Sequence, residues 1–158
     1  MTKLRLYTSP SAFPNPQRLR LFIHEKGIAD QFDETVYDMA PGGEQRKWPH
    51  LKMNPWGETP TLVLEDGSYL SETAAIARYF DQQYPGRKIM GATPLEQGQD
   101  TMWENRVWTH ILYRIVTMFH VMHEGLGRTV KPGPTAGTIA GGNSGGLAAN
   151  ASGQLVGV

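Results

Sequence analysis

Apolar and polar positions along the first 85 residues alternate in runs short enough for strands and in repeats wide enough for helices. KLRLYT reads as a short strand, a Ser- and Pro-rich turn follows, and Asn15 to Lys26 reads as a helix stopped by Gly27. FDETVYDM suggests a second strand, and GGEQRKWPHLKMN a helix broken at Pro49. TLVLEDGSYLS carries two β-rich arms around Asp66-Gly67, the pattern of a tight hairpin. SETAAIARYFDQQY then sets Ala75, Ile76, Tyr79 and Phe80 at helical spacing and ends at Pro85-Gly86. The order β-α-β-α-β-β-α predicts an α/β domain with a mixed four-stranded sheet and helices packed on it.

A linker follows, then one long helix from Thr93 to about Glu124. Thr93-Pro94-Leu95-Glu96 has the form of a capping box with proline in the first helical position. Trp103, Val107, Ile111, Ile115, Met118 and Met122 make an apolar stripe, which is expected to be buried. A single helix cannot bury that stripe, so the first domain, sister helices or another subunit must cover it. From Arg128 to Val158 the pattern fades. There are 8 glycines in 31 residues, no aromatic and no acidic residue, and a flexible, disordered tail is expected. A shifted reading frame or a truncated gene would produce such a break.

Composition narrows the chemistry. Basic and acidic residues balance at 15 each, so charge gives no argument for nucleic acid or an anionic membrane surface. MTKLRLY lacks the apolar run of a signal peptide, and no stretch approaches a membrane span, so a soluble cytoplasmic protein is expected. With no cysteine in the chain, disulfides, thiolate zinc sites and a cysteine nucleophile are excluded. If the protein handles thiols, a ligand supplies the sulfur.

Two stretches can hold such a ligand. In GETPTL, a cis Thr59-Pro60 bond before the hairpin would turn the Thr59 N–H and C=O outward, toward an extended peptide-like ligand. In SETAAI, the helix start favours an anion: a carboxylate would dock on the Thr73 N–H and hydroxyl, while Glu72 holds an adjacent ammonium. An α-amino acid head carries both groups. The plain alternatives are a trans turn before an edge strand and a Ser71 that caps the helix.

NPWGETPTLVLEDGSYLSETAAIARYF resembles the glutathione transferase pattern N-P-x-G-x-V/T-P-x-L…D-G…E-S/T-x-A-I, and the likeness runs from about residue 3 to 127. SPSAFPNPQRLRLFIHEKGI is most similar to a bacterial and fungal subgroup whose first helix opens with N-P-x-R-V/L-R. The resemblance implies a thioredoxin-like glutathione-binding domain over 1–85. The linker and first helix of an incomplete all-α domain over 86–127 follow, then the tail over 128–158. A homodimer is usual. Glu72 and Thr73 would hold the γ-glutamyl head of glutathione, and the backbone of Thr59, before Pro60, would pair with its cysteinyl portion. Lys52 would meet the glycyl carboxylate, with His50 a second choice.

The family commonly activates the thiol with a Tyr, Ser or Cys near the first helix. Here Phe13 stands where many classes have serine, Tyr7 lies in the strand, and Ser9 and Ser11 lie upstream of the usual place. Asn15, at the helix start, can offer its amide to the sulfur and is the expected catalytic residue, with Ser11 and Ser9 as alternatives. His120 can orient a water or an electrophile beside the long helix; His120 and His123 supply at most two metal ligands, so no metal is expected. The implied activity is attack of the glutathione thiolate on an electrophilic carbon, a peroxide or a disulfide. The rivals are a glutathione-dependent disulfide reductase on the same fold, a non-catalytic glutathione-binding or interaction module, and an incomplete gene product.

Overall fold

The computed structural model describes residues 3–10, 14–38, 43–122, 148–149 and 155–156. The first part follows the expected order: β1 (Leu4–Thr8), α1 (Pro14–Lys26), β2 (Phe32–Val36), α2 (His50–Met53), β3 (Thr61–Val63), β4 (Tyr69–Ser71) and α3 (Thr73–Gln83). A 3-10 turn at Glu44–Arg46 precedes α2, so the interrupted helix around Pro49 is two short pieces. The sheet order is β2-β1-β3-β4. β1 pairs parallel with β2 and antiparallel with β3, and β3 pairs antiparallel with β4. This is a thioredoxin-like domain.

Alternation along β1 divides the packing. Leu4 and Leu6 are buried with Leu19 and Ile23 of α1 and with Ile76, Ala77 and Phe80 of α3. Tyr7 takes the other face, beside Tyr37 and the α2 residue His50. β3 is buried at all three positions, as a strand covered on both faces must be. Gly27, at φ 71°, ends α1 with its N–H on the His24 carbonyl, and the Ile28 N–H reaches the Ile23 carbonyl. In the hairpin Gly67 has φ 80°, and Asp66 Oδ1 accepts from the Ser68 N–H and hydroxyl.

A buried clamp ties the linker to this domain. Lys26 Nζ and Asp81 Oδ1, at the ends of α1 and α3, lie 2.9 Å apart with both side chains 0% exposed. Lys26 also donates to the Arg87 carbonyl, while Asp81 accepts from the Ile89 and Met90 N–H groups at 2.9 and 3.1 Å. Met90 is thereby drawn into the core. Gly91 follows at φ 90°, where an added Cβ would lie 2.6 Å from the Gln97 nitrogen. Gly91→Ala should therefore cost about 1–3 kcal/mol in urea unfolding, and an unchanged midpoint would show that the linker relaxes freely.

α4 (Pro94–Val107) opens on the expected capping box, with Thr93 and Glu96 bonding each other's backbone N–H. A π-helical stretch at Trp108–Leu112 separates it from α5 (Tyr113–Met122), so the long helix contains one widened turn. The expected burial of its stripe is not found: Trp103, Val107, Ile111, Ile115 and Met118 are 40–60% exposed. The first domain reaches only one side of α4, through Arg18–Glu104 and Arg78–Asp100, and cannot cover the rest. Most of the Gly/Ala-rich stretch after residue 127 lies outside the described residues. Within it, Ala148–Ala149 pairs antiparallel with Leu155–Val156, a short ladder that its composition does not announce. No helix among the described residues is long and apolar enough to cross a membrane.

Candidate functional site

Strand register brings the candidate residues to one edge. Thr61 pairs with Ser71 and Tyr7 with Thr61, so the end of β1, the start of β3 and the end of β4 lie side by side. Thr59-Pro60, which is cis, precedes β3 there, and Glu72-Thr73 follows β4. α1 and α3 begin next to each other, and the Thr73 hydroxyl donates to the Asn15 carbonyl at 3.3 Å.

Between these helix starts and α4 lies a cavity of about 160 Å³. Asn15, Arg18, Glu72 and Thr73 line one side, and Glu104, Asn105 and Trp108 the other. The N-cap of α3 is Glu72 and not Ser71, which ends β4. Glu72 holds φ 73° and ψ 123°, a conformation that costs a residue with a Cβ, and makes no side-chain cap bond. The first turn of α3 therefore keeps donors available to an anion, beside a carboxylate that suits a cation.

The remaining expected residues are placed differently. Lys52 is exposed on α2, and His50 is buried between Tyr7 and Tyr37; neither lines this cavity. Ser9 is 1% exposed, with its carbonyl bonded to Arg20 at 2.9 Å. Ser11, Phe13 and His123 lie outside the described residues, and His120 lies on α5, outside the described side chains. Among the described residues no cluster of His, Cys, Asp or Glu is arranged to hold a metal ion.

Four polar or aromatic residues at the site escape a reading by sequence motif: Glu58, Glu104, Asn105 and Trp108. Partial desolvation and the nearby Glu72 carboxylate push the carboxyl of the exposed Glu58 up, against the pull of Arg46. Its place directly before Thr59-Pro60 is the signal that could have found it. Glu104 and Trp108 stand four residues apart on one helical face, as wall residues should. A neighbouring groove of about 320 Å³, between Phe22 and Ala77 on one side and Trp103 and Val107 on the other, is mainly apolar.

Residues 14–83 match the family model described as glutathione S-transferase, N-terminal domain. Among curated relatives, glutathione S-transferase 2 of Saccharomyces cerevisiae is 31% identical over 129 residues, 82% of this chain and 54% of the relative. This chain thus spans about half the length of that relative. Among solved structures, a glutathione S-transferase domain-containing protein of Marinobacter aquaeolei VT8 superposes with a TM-score of 0.73 at 31% identity. That match covers 80% of this chain and 60% of the other. A glutathione transferase homologue from Sulfitobacter with bound glutathione gives a TM-score of 0.62 at 26% identity, over 78% of this chain and 55% of its own. Residues 14–83 thus form a domain of the glutathione S-transferase N-terminal type.

Proposed function

We propose that this chain binds glutathione at the α1–α3 edge and activates its thiol for attack on an electrophile, as a glutathione transferase. One observation carries the reading: Asn15 at the start of α1 and Glu72-Thr73 at the start of α3 share one cavity with Trp108, just past the end of α4. Glu72 pairs with the γ-glutamyl ammonium, the Thr73 N–H with its carboxylate, and the Thr59 backbone with the cysteinyl portion. Lys52 is the residue proposed for the glycyl carboxylate. The sulfur then lies at the start of α1. The thiolate forms a bond to an electrophilic carbon, and the leaving group departs with the bonding electrons. Trp108 and Asn105 offer the electrophile a wall on the α4 side. The exposed stripe of α4 and α5 fits coverage by further helices or by a second copy in a homodimer.

No strong base is needed. Lowering a thiol pKa from roughly 8.5 to about 6.5 takes about 2.7 kcal/mol of preferential thiolate stabilisation. A helix N-terminus supplies up to about 2 kcal/mol in a partly buried site, and one charge-assisted hydrogen bond can supply the remainder. Asn15→Ala should therefore raise the pKa of bound glutathione while leaving its affinity at high pH nearly constant. Thiolate absorbance against pH is the measurement. A titration that moves with Ser11→Ala and not with Asn15→Ala would transfer the role to Ser11. Turnover with a mixed disulfide but with no electrophilic carbon would instead favour a reductase.

A further inference from the structure

Three side chains converge on the Glu58 carbonyl. His50 Nε2 lies 3.1 Å from it, Asn54 Nδ2 3.0 Å and the Thr61 hydroxyl 3.2 Å. A carbonyl can only accept, so Nε2 carries the imidazole proton and Nδ1 is the bare nitrogen. Nδ1 is buried and has no hydrogen-bond partner among the described residues. The ring is 1% exposed and stands edge-on to Tyr37 at 5.2 Å and Tyr7 at 6.1 Å. A phenyl ring would fill that slot without an orphaned nitrogen, so packing does not explain the histidine.

The bonded carbonyl belongs to the same planar unit as the Thr59 N–H. Holding one end of the peptide aims the other. We propose that His50 is a positioning residue: through the Glu58 carbonyl it orients the Thr59 N–H toward a peptide-like ligand, and it does so only while its imidazole is neutral. The proposal rests on the reading that Thr59 meets the cysteinyl portion of glutathione.

The surroundings oppose a charged ring. Tyr7 of β1 and Tyr37 after β2 face it, and burial, with Tyr7 and Glu44, pushes the Tyr37 hydroxyl up to about 12. The Glu58 carboxyl, on the held residue, is raised by partial desolvation and by Glu72, against the opposing effect of Arg46. Burial lowers the pKa of His50 below 6.5, against the opposing effect of its bond to Glu58. Above pH 6.5 the ring is neutral and the grip intact. As pH falls through the lowered pKa, a proton enters Nδ1 where no acceptor waits, and the ring must turn or leave.

The test uses the full chain, with glutathione as probe, in wild type, His50→Phe, His50→Gln and Glu58→Gln between pH 5 and 8. His50→Phe should bind glutathione about tenfold more weakly at pH 7.5. His50→Gln, whose amide can donate to the same carbonyl, should recover most of that loss. The acid-side fall in affinity should persist in Glu58→Gln and vanish in His50→Gln. In ligand-free wild type, the Thr59 amide resonance should titrate with the same midpoint as the His50 ring. Wild-type affinity in His50→Phe, or a Thr59 amide that stays fixed through the ring's titration, would overturn the proposal. If His50→Phe does not fold, the ligand-free titration decides alone. A Thr59 amide that follows His50 in a protein that binds no glutathione would sink the functional reading and leave the positioning role standing.

Discussion

Asp81→Ala is expected to destabilise the fold by about 3–5 kcal/mol, because it leaves a buried lysine charge without its partner. Lys26 has no exposure through which water could replace the carboxylate. The Ile89 and Met90 N–H groups lose their acceptor in the same step, and both lie in the linker that leads to α4. Urea unfolding measures the loss. A double change, Lys26→Met with Asp81→Leu, should recover a large part of it by removing the unpaired charge. A loss under about 1 kcal/mol for Asp81→Ala would mean that water reaches Lys26 readily.

The same clamp sets an acid limit. Burial pushes the Asp81 carboxyl up, but the Ile89 N–H, Lys26 and the Met90 N–H together outweigh it and hold the pKa below 3.8. A carboxyl lowered in the folded state contributes stability that is fully present above its unfolded pKa. That contribution is lost as pH falls through the folded value. The clamp should hold at neutral pH and release only in strong acid.

Glu72→Gly is expected to move stability and binding in opposite directions. At φ 73° and ψ 123° a glutamate is strained, whereas glycine reaches that region freely. Relief of strain worth about 1–3 kcal/mol exceeds the entropy cost of a new glycine, so the fold should gain about 1 kcal/mol. The ligand's ammonium loses its carboxylate, which should weaken glutathione by about 1.5–3 kcal/mol. Glu72→Ala keeps the strain and should lose binding without the gain in stability. Calorimetry and thermal unfolding on the two variants separate these effects. Unchanged glutathione affinity in both would remove Glu72 from the site.

What could be read along the chain was local. Gly27, Asp66-Gly67 and Thr93-Pro94-Leu95-Glu96 each declare a turn or a cap within a few residues, and all three hold in the structure. The convergence of Asn15 with Thr73 is not local; it depends on two helices starting at one sheet edge, and only likeness to a family suggested it. Asp81 looks like an ordinary surface aspartate until Lys26 and the linker close around it. The N-cap of α3 went to Glu72 because β4 continues through Ser71, and ladder pairing outweighed a capping preference. Glu104 and Trp108 matter only once α4 is docked, where Arg18 meets Glu104 at 2.9 Å and Arg78 meets Asp100.

The position of β1 has a consequence during translation. It precedes β2 and β3 in the chain, yet it lies between them in the sheet. β2 emerges soon after it, but β3 follows by about fifty residues, roughly 3–10 s of synthesis at 5–20 residues per second. Throughout that interval one edge of the nascent strand has no partner, and its Leu4 and Leu6 lack much of their cover. Arg5 and Lys3, both exposed in the finished sheet, keep charge on that waiting edge and discourage pairing between neighbouring nascent chains. A pause in translation between β2 and β3 would prolong that exposure, while slowing after β4 would be harmless to the sheet.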